Sequence, residues 1–458
     1  MVTIINKDAL TALKELPDNS VDSCVCSPPY SSLRIYNCPI VWGGSKDCKH
    51  DFDFVKGAID LQSGSNEFKR PWRENASDSY KSGYCKCGVW YGELGQEPTP
   101  EFFIDHLVEI FGEVKRVLKP TGNIWINISD SFWGSWGNSG NRPYLDGKTQ
   151  NQRDKNVKDI DRKGWVDNRN RPPSSYPHSI LKPKDLVGVP WMLSFALRDR
   201  LGLWLRNDII WQKRSPLPES VNDRLTRSHE YVFLFAKSSK YYFDIEAIKE
   251  PIKDSSLKRI NQKSFDTQTG GAKDFINNDI NTNRIARKTV EKFKENCNGL
   301  RQKRDVWELS NEPSRDEHYA AYPQSLVEPC IKAGCPKECC AKCGAPYVRV
   351  VEKEDQNNSY VYKAIGIPGE GSNRGRREGA MGYGQPKVDK GFNSSCICNT
   401  DKIKGVVIDP FGGSGTTSIV AEKQYKDSIL IEPNKKYVEI AKRRLKREIG
   451  MFMEIKEL

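Results

Sequence analysis

One segment near the carboxyl end constrains the fold of this chain more than any other. Residues 405–433 contain a short apolar run, a glycine-rich turn, a helical segment and a second apolar run. The first run, Val406-Val407-Ile408, is typical of a strand that is buried on both faces of a sheet. Strands that alternate with helices imply an α/β domain with a mostly parallel sheet. This segment therefore predicts the architecture into which the rest of the chain must fit.

The other periodic segments continue the same alternation. Apolar positions at helical spacing predict a long amphipathic helix over residues 100–119, which Pro120 and Gly122 end. The sequence also predicts helices over 8–17, 184–199 and 434–448, and strands over 2–5, 21–26, 123–128, 203–213, 229–237 and 429–431. With 458 residues, 37% of them hydrophobic, the chain can form one large core or a few smaller ones.

Composition narrows the classes of protein further. The formal net charge of +12 favours a polyanionic partner, although a lysine-rich solvated surface explains the charge equally well. No apolar run approaches the roughly 18 residues of a membrane span, and the first residues lack the pattern of a secretory signal. We therefore expect a soluble, intracellular protein. In such a protein, 14 cysteines indicate metal sites rather than disulfides.

The glycine-rich turn has the residue types of a nucleoside site. It lacks the Gly-Lys-Ser/Thr of a phosphate-binding loop, and the acid before its glycines would repel a pyrophosphate. Asp409 suits a cationic or hydroxyl-bearing group instead. Glu432 follows the next predicted strand, 19 residues after Gly413, where an acid commonly binds ribose hydroxyls. The turn and its acid predict a nucleoside ligand without a phosphate.

A second unusual feature follows the predicted strand 21–26. Ser27-Pro28-Pro29-Tyr30 cannot continue a strand, because neither proline has an N–H to donate to a neighbouring strand. The prolines stiffen the backbone and fix the direction of its carbonyl groups. The strand would deliver this tetrapeptide to the carboxyl edge of the sheet, where open α/β folds bind ligands.

Asp-Pro-Phe-Gly-Gly-Ser-Gly-Thr-Thr (409–417) and Ser-Pro-Pro-Tyr (27–30) together resemble the motifs of the DNA amino-methyltransferases. Their order is similar to that of the circularly permuted β group, in which the catalytic motif precedes the cofactor motif. The resemblance covers most of the chain, because it extends to residues 106–132, 206–213, 226–244 and 318–331. It implies a Rossmann-like fold that uses S-adenosyl-L-methionine, and a cytoplasmic protein of a prokaryote or a phage.

The resemblance gives each residue of the tetrapeptide a role. Ser27 and the Pro28 carbonyl would orient the exocyclic amine that accepts the methyl group, Pro29 would stiffen the loop, and Tyr30 would stack on the base. The base would be flipped out of duplex DNA. A first-position serine resembles the cytosine-N4 enzymes, whereas aspartate is usual in adenine-N6 enzymes. We therefore predict site-specific N4 methylation of cytosine, with adenine-N6 methylation as the alternative.

Two further classes are weaker alternatives. Methylation of cytosine C5 requires a cysteine nucleophile, usually in a Pro-Cys pair, and Pro329-Cys330 is such a pair. It lies in an apolar helical pattern, which favours a buried thiol. A catalytically inactive, zinc-containing DNA-binding protein is the remote alternative, and the intact motifs at 27–30 and 409–417 disfavour it.

The resemblance also implies which residues contact the cofactor. Asp8 follows the first strand, where the family contacts the adenosine portion, and Tyr322 and Pro323 match the segment near the methionine portion. For these three residues, core packing is an equally good interpretation. The other predicted contacts lie in the glycine-rich turn and after the next strand: Asp409, Phe411, Gly412, Gly413, Ser414, Gly415, Thr416, Thr417 and Glu432.

Two groups of residues have the spacing of zinc ligands. Cys340 and Cys343 have the form of a zinc knuckle, which Cys396 and Cys398 complete after an excursion of about 50 residues. Cys335 and Cys339 lie close enough in sequence to replace one of them. The second group consists of Cys48, His50, Cys85 and Cys87. We expect structural zinc in both groups, since neither has the catalytic signature of a zinc deaminase. Unliganded thiols are the alternative.

These predictions divide the chain into parts. We expect duplex DNA as the partner of a monomer or a homodimer, with or without a cognate restriction endonuclease. Residues 245–317 are rich in Asn, Gln, Lys and Arg, which favours target recognition over a polar linker. The predicted parts are a catalytic part (1–36), an insertion with a zinc site (37–99), methyltransferase core (100–244) with a loop (131–176), the recognition region (245–317), a cofactor-binding part (318–350 and 393–458) and a flexible insertion (351–392).

Overall fold

The computed structural model describes most of the chain. The described residues are 1–31, 36, 38–43, 48–56, 81–133, 178–216, 218–219, 221–255, 258, 299–310, 322–353, 387–450 and 453–458. Most of the predicted loop 131–176, the predicted recognition region 245–317 and the predicted flexible insertion 351–392 lies outside these ranges.

The described residues form helices and strands throughout the chain. In chain order, the strands are β1 (Val2–Ile5), β2 (Val21–Cys26), β3 (Ile40–Trp42), β4 (Phe52–Lys56), β5 (Lys81–Cys85), β6 (Trp90–Gly92), β7 (Leu118–Ile128), β8 (Trp204–Lys213), β9 (His229–Ala236), β10 (Glu250–Pro251), β11 (Leu300–Arg301), β12 (Val306–Leu309), β13 (Glu338–Cys340), β14 (Tyr347–Lys353), β15 (Lys387–Ser394), β16 (Lys402–Lys404), β17 (Val406–Asp409), β18 (Asp427–Ile431) and β19 (Ile455–Glu457). The helices are α1 (Ala9–Glu15), α2 (Pro100–Val117), α3 (Val189–Leu201), α4 (Gln324–Gly334), α5 (Thr416–Lys423) and α6 (Lys435–Glu448).

A nine-stranded sheet lies at the centre of the described residues, in the order β12-β8-β9-β7-β2-β17-β18-β1-β19. Strand β9 runs antiparallel to both of its neighbours, and the other adjacent pairs are parallel. The predicted α/β fold with a mostly parallel sheet is confirmed. Because β2, β17, β18 and β1 are adjacent and parallel, the residues that follow them lie along one edge.

Helices cover both faces of the sheet and bury its apolar side chains. Successive residues of β7 point to opposite faces. Ile124 belongs to the cluster that contains Leu13 of α1 and Phe103 of α2, whereas Trp125 belongs to the cluster that contains Ile331 of α4. All of these side chains are almost fully buried, and each contributes about 1.5–3 kcal/mol of hydrophobic stabilisation.

All four predicted helices differ from the observed helices at their boundaries, and for α2 and α3 the reasons are identifiable. Helix α2 begins at a capped end, where the Thr99 hydroxyl accepts a hydrogen bond from the Phe102 N–H at 3.2 Å. It ends at Val117, before the predicted residue 119, because β7 starts directly at Leu118. Helix α3 begins at Val189 rather than at 184, after Gly188 with a φ of 84°. None of the described helices is both long and apolar enough to span a membrane.

The first insertion contains more regular structure than its sequence indicates. Strands β3, β6, β5 and β4 form a small antiparallel sheet within residues 37–99. Its strands are short and include Gly83 and Gly92, so the sequence carries no strand periodicity. Aromatic contacts between strands stabilise it instead, such as Phe52 against Tyr91 at 5.5 Å between ring centroids. A second antiparallel pair, β14–β15, contains the ends of the insertion predicted at 351–392.

Candidate active site

The sequence motifs converge on the carboxyl edge of the central sheet. The tetrapeptide 27–30 follows β2, the glycine-rich turn 410–415 follows β17, Glu432 follows β18, and Asp8 lies just after β1. These four strands are neighbours in the sheet. The edge therefore brings together residues that are up to about 400 positions apart in the sequence.

Asp409 is the buried acid that directly precedes the glycine-rich turn. Its Oδ1 accepts a hydrogen bond from the Phe411 N–H at 3.0 Å. Its Oδ2 accepts hydrogen bonds from the Tyr322 hydroxyl at 2.9 Å and the Thr417 hydroxyl at 2.7 Å. Burial outweighs these three donors and raises the pKa of Asp409 to about 6.

Glu432 is the second buried acid at this edge. Its carboxylate accepts hydrogen bonds from the Gly413 N–H at 2.9 Å and the Asn434 N–H at 2.8 Å. Burial raises the pKa of Glu432 to about 7, and the nearby charge of Asp409 adds to the shift. Neither acid forms an ion pair with any of the described residues. Buried acids with raised pKa values at a sheet edge are typical of a ligand site.

The glycines of the turn permit close packing. A Cβ on Gly412 would lie 2.4 Å from Cγ of Leu430, so only glycine fits there. Gly415 has a φ of 81° and precedes the first residue of α5. Ser414 and Thr416, both predicted cofactor contacts, are hydrogen-bonded through their hydroxyls to the buried Arg444 guanidinium of α6 at 2.6 and 3.1 Å. These two side chains therefore anchor the turn to α6.

Three further residues are predicted to contact the cofactor: Asp8, Phe411 and Pro323. Asp8 caps α1, since its Oδ1 accepts a hydrogen bond from the Thr11 N–H at 2.9 Å. Phe411 packs edge-on against Phe111 of α2 at 6.3 Å between ring centroids. Pro323 directly precedes α4. Their predicted contacts with a cofactor stay predictions.

The tetrapeptide is held by polar residues that the sequence analysis did not single out. The Tyr30 hydroxyl donates a hydrogen bond to Oε2 of Glu230 at 2.6 Å and lies 3.1 Å from Oδ1 of Asn127. Lys213 donates a hydrogen bond to Oε1 of the same Glu230. Ser27 Oγ lies 3.5 Å from the Tyr30 hydroxyl. Burial, and then Glu230, raise the pKa of Tyr30 well above its usual value, so its hydroxyl stays a donor.

The antiparallel strand explains how these residues meet. Because β9 is reversed, its first residues lie at the same edge as the last residues of β7 and β8. Asn127 and Glu230 are buried polar residues within otherwise apolar strands. A polar residue inside an apolar strand is the sequence signal that could have identified them, because burial of an unpaired polar group is costly.

The thiol of the Pro329-Cys330 pair is packed inside α4. Cys330 is 2% exposed and donates a hydrogen bond to the Leu326 carbonyl at 3.2 Å. Burial raises the pKa of Cys330 well above its usual value. A thiol in this state is a poor nucleophile, as the helical pattern predicts.

Both predicted metal-binding groups come together in space. Cys48, His50, Cys85 and Cys87 form one cluster and Cys340, Cys343, Cys396 and Cys398 the other, and within each cluster the potential ligand atoms all lie within 4.8 Å of one another. In the first cluster, two sulfurs, those of Cys48 and Cys85, are 3.8 Å apart. A tetrahedral Zn²⁺ with bonds of about 2.3 Å requires sulfurs about 3.8 Å apart. The donor sets and their spacing therefore fit zinc.

Cys335 and Cys339 lie outside the second cluster. Cys339 donates a hydrogen bond from its Sγ to Oδ1 of Asp22 at 3.4 Å, and Cys335 donates one to the Pro336 carbonyl at 3.6 Å. Both are buried. The structure thus groups Cys340, Cys343, Cys396 and Cys398 without Cys335 or Cys339, and the role of these four as zinc ligands stays a prediction.

The α/β sheet, its buried acids and the adjacent tetrapeptide define a methyltransferase of the Rossmann-like class. The DNA methylase family model (N6_N4_Mtase) matches residues 21–339 and 392–443, which is well over half of the chain. The chain belongs to this family, and the resemblance to the DNA amino-methyltransferases is confirmed.

Two relatives support the same assignment. The type II methyltransferase M.SmaI of Serratia marcescens is 31% identical over 356 residues, or 78% of each chain. The type II methyltransferase M.Cfr9I of Citrobacter freundii is 28% identical over 446 residues, or 97% of this chain and 88% of its own. The solved structure of the PvuII DNA methyltransferase (cytosine-N4-specific) aligns with 99% of this chain and 86% of its own at 14% identity, with a TM-score of 0.44.

Proposed function

We propose that this chain is a type II DNA methyltransferase that transfers a methyl group to N4 of cytosine in a specific duplex sequence. Its relatives M.SmaI and M.Cfr9I are type II methyltransferases. The observation that carries the choice of cytosine is Ser27, the first residue of the tetrapeptide at the carboxyl edge. Serine at this position resembles the cytosine-N4 enzymes, and aspartate is usual in the adenine-N6 enzymes.

The residues of the carboxyl edge fit S-adenosyl-L-methionine as the methyl donor. Its ribose hydroxyls suit the buried carboxylate of Glu432, and its cationic groups suit Asp409. Gly412 and Gly415 keep the backbone of the turn compact beside these acids. When bound, the cofactor supplies an electrophilic sulfonium methyl group.

The tetrapeptide supplies the contacts that a weakly nucleophilic amine requires. The lone pair of the cytosine amine is delocalised into the ring. Acceptors at Ser27 Oγ and the Pro28 carbonyl orient the amine hydrogens, so that the lone pair points toward the methyl group. Pro28 is buried, and Pro29 restricts the backbone after it. The chain thus fixes the direction of the carbonyl before the substrate arrives.

The hydrogen bonds of Tyr30 support its role in stacking on the base. Its hydroxyl is held by Glu230, which is in turn held by Lys213 and by the Asn127 amide at 3.1 Å. A ring whose hydroxyl is fixed presents its face in one orientation. We infer that this arrangement positions a flipped cytosine beside Ser27.

Two arginine side chains near this edge each lie beside an acid. Asp130, just after β7, lies 3.7 Å from Arg227, and the guanidinium groups of Arg224 and Arg227 lie 3.9 and 6.0 Å from the centroid of the Phe132 ring. Nη1 of Arg227 is buried and has no hydrogen-bond partner among the described residues, and Arg224 forms an ion pair with Glu219. We assign sequence recognition to residues 245–317, as their composition predicts.

The product identifies the base. The purified chain is incubated with S-adenosyl-L-methionine and duplex DNA, and the DNA is then digested to nucleosides for mass spectrometry. We expect N4-methylcytosine, and N6-methyladenine as the sole product would refute the choice of cytosine. Methylation-sensitive sequencing of an expressing host then gives the recognition sequence. Calorimetry with S-adenosyl-L-methionine tests the inactive alternative, which requires that the cofactor does not bind.

A further inference from the structure

The two cysteine clusters lie near opposite edges of the central sheet. The segment that holds Cys48, His50, Cys85 and Cys87 leaves the carboxyl edge after β2 and returns through α2. The other cluster precedes β16, which leads directly into the first residue of β17 at the amino edge. One cluster is therefore connected to the tetrapeptide and the other to the opposite end of the strands.

A short loop links the first cluster to the tetrapeptide. Cys85 and Cys87 lie at the turn between β5 and β6, where the Gly88 N–H donates a hydrogen bond to the Cys85 carbonyl at 2.8 Å. After β6, the chain reaches Gly95, whose φ is 90°. A Cβ on Gly95 would lie 3.1 Å from the Tyr30 carbonyl oxygen and 3.5 Å from Cβ of Pro29. The loop after β6 thus packs directly against the tetrapeptide.

Buried polar contacts fix this loop to α2. Glu97 accepts a hydrogen bond from the Gly95 N–H at 2.7 Å, and its other oxygen pairs with Nδ1 of His106 at 2.8 Å. Trp42 of β3 stacks on His106 at 3.9 Å between ring centroids, and its indole N–H donates a hydrogen bond to the Gly92 carbonyl at 3.1 Å. A displacement of the small sheet would therefore move Gly95.

The second cluster has different neighbours. Cys339, next to Cys340, contacts Asp22 at the start of β2. The same carboxylate accepts a hydrogen bond from the Val406 N–H at 2.9 Å and pairs with Lys119 at 2.8 Å. These contacts join the first residues of three strands, and none of them reaches the tetrapeptide.

We propose that each cluster holds one structural Zn²⁺, and that the ion of the first cluster also positions the catalytic tetrapeptide, whereas the ion of the second cluster only stabilises the fold. Sets of three thiolates with one imidazole, and of four thiolates, are closed zinc sites without a position for substrate. The positioning role rests on the proposed function of residues 27–30. The zinc content does not.

The first experiment compares exposed ligands of the two clusters in the full-length chain. Elemental mass spectrometry should find one zinc per cluster, with one ion lost in Cys87→Ser and one in Cys343→Ser, whereas Cys38→Ser retains both. Methyl transfer from labelled cofactor to any base of the DNA should fall about 100-fold in Cys87→Ser, with unchanged cofactor affinity. In Cys343→Ser the Tm should fall by more than about 5 °C, with kcat unchanged well below the Tm.

The second experiment disturbs the link and leaves the metal in place. Gly95→Ala should retain both zinc ions and its cofactor affinity, yet lose about 100-fold in kcat because the new methyl group displaces Tyr30. Gly43→Ala is the matched control, since Gly43 has a φ of 77° and no described atom within 4 Å of an added Cβ. Hydrogen exchange of peptide 24–31 should rise in Cys87→Ser and Gly95→Ala, and not in the other variants.

Each remaining outcome bears on one part of the proposal. Full-length protein that is purified without chelator and holds no zinc overturns the metal assignment. Equal loss of activity in Cys87→Ser and Cys343→Ser, or an active Gly95→Ala, overturns the positioning role. A further outcome is that the wild-type chain holds both ions and the variants show the expected exchange pattern, while the wild type methylates no DNA. That result refutes the proposed function and leaves the assignment of the ions supported.

Discussion

The buried acids at the two edges of the central sheet differ in whether they have an ion-pair partner. At the amino edge, Asp22 pairs with Lys119 and also accepts the Val406 N–H. Burial lowers the pKa of Lys119, but the interactions with Asp22 and Cys339 together outweigh burial and raise that pKa overall. At the carboxyl edge, Asp409 and Glu432 have no ion-pair partner among the described residues, and burial raises the pKa of both.

This difference distinguishes residues that stabilise the fold from residues that are expected to bind a ligand. Breaking a buried ion pair leaves an uncompensated charge, so each member of the amino-edge pair contributes to the stability of the folded chain. Unpaired buried acids destabilise a protein, and such groups persist mainly where a ligand satisfies them. The following changes test this distinction, from the largest expected effect to the smallest.

Replacing Asp22 by Ala should produce the largest effect. It leaves the buried Lys119 without a counter-charge and the Val406 N–H without an acceptor, so the free energy of unfolding should fall by about 3–5 kcal/mol. Urea denaturation measures this change. The matched variant at the other edge, Asp409→Asn, should change it by less than about 1 kcal/mol while weakening cofactor binding. Equal destabilisation by the two variants would remove the contrast between the edges.

The pH dependence of stability should follow Glu432. Its folded pKa of about 7 lies above the usual value of 4.5, so the native state binds the proton more tightly than the unfolded state. The contribution of Glu432 to stability is therefore greatest below pH 4.5 and is lost as the pH rises toward 7, by up to about 3 kcal/mol. Urea denaturation between pH 4.5 and 7.5 should show that the free energy of unfolding of Glu432→Gln increases relative to that of the wild type as the pH rises. A constant difference would contradict the raised pKa.

Tyr30 should affect turnover rather than stability. Tyr30→Ala removes the ring that stacks on the base, so kcat should fall about 100-fold while the affinity for S-adenosyl-L-methionine is retained. Tyr30→Phe keeps the ring and loses only the hydrogen bond to Glu230, so a loss of about tenfold is expected. Single-turnover kinetics and calorimetry measure the two quantities. Parallel loss of turnover and cofactor affinity in Tyr30→Ala would contradict the assigned role.

The sequence predicted the parts of the carboxyl edge that depend on local chemistry. The strands 21–26 and 406–408, and the glycine turn after the second strand, are recognisable from local sequence patterns. Because parallel strands have their carboxyl ends at the same edge of the sheet, the residues that follow these strands can be predicted to lie close together. The cysteine clusters were also predictable, because each consists of two short ligand pairs. Cys340 and Cys343 have the usual C-x-x-C spacing of zinc sites, and the other three pairs are one residue tighter.

The sequence did not predict contacts that depend on topology. Tyr30 contacts Asn127, 97 residues away, because β7 lies beside β2 in the sheet. It contacts Glu230, 200 residues away, because β9 runs antiparallel in an otherwise parallel sheet. The hydrogen bonds from Arg444 to Ser414 and Thr416 likewise require α6 to pack against the turn. The small sheet of the first insertion depends on cross-strand aromatic contacts, which leave no periodic pattern in the sequence.

Asp8 combines the two kinds of role, since it caps a helix and is also predicted to contact the cofactor. Its replacement should change stability and cofactor affinity least of all. One of its oxygens caps α1, so Asp8→Ala should lower the free energy of unfolding by about 1 kcal/mol. Asp8→Asn preserves the cap, because the amide oxygen also accepts from the Thr11 N–H. If the other oxygen binds the adenosine portion, Asp8→Asn should lower the affinity for S-adenosyl-L-methionine about tenfold and leave the free energy of unfolding unchanged. Calorimetry measures the affinity, and urea denaturation measures the stability. An unchanged affinity would place Asp8 with Asp22, as a residue of the fold rather than of the site.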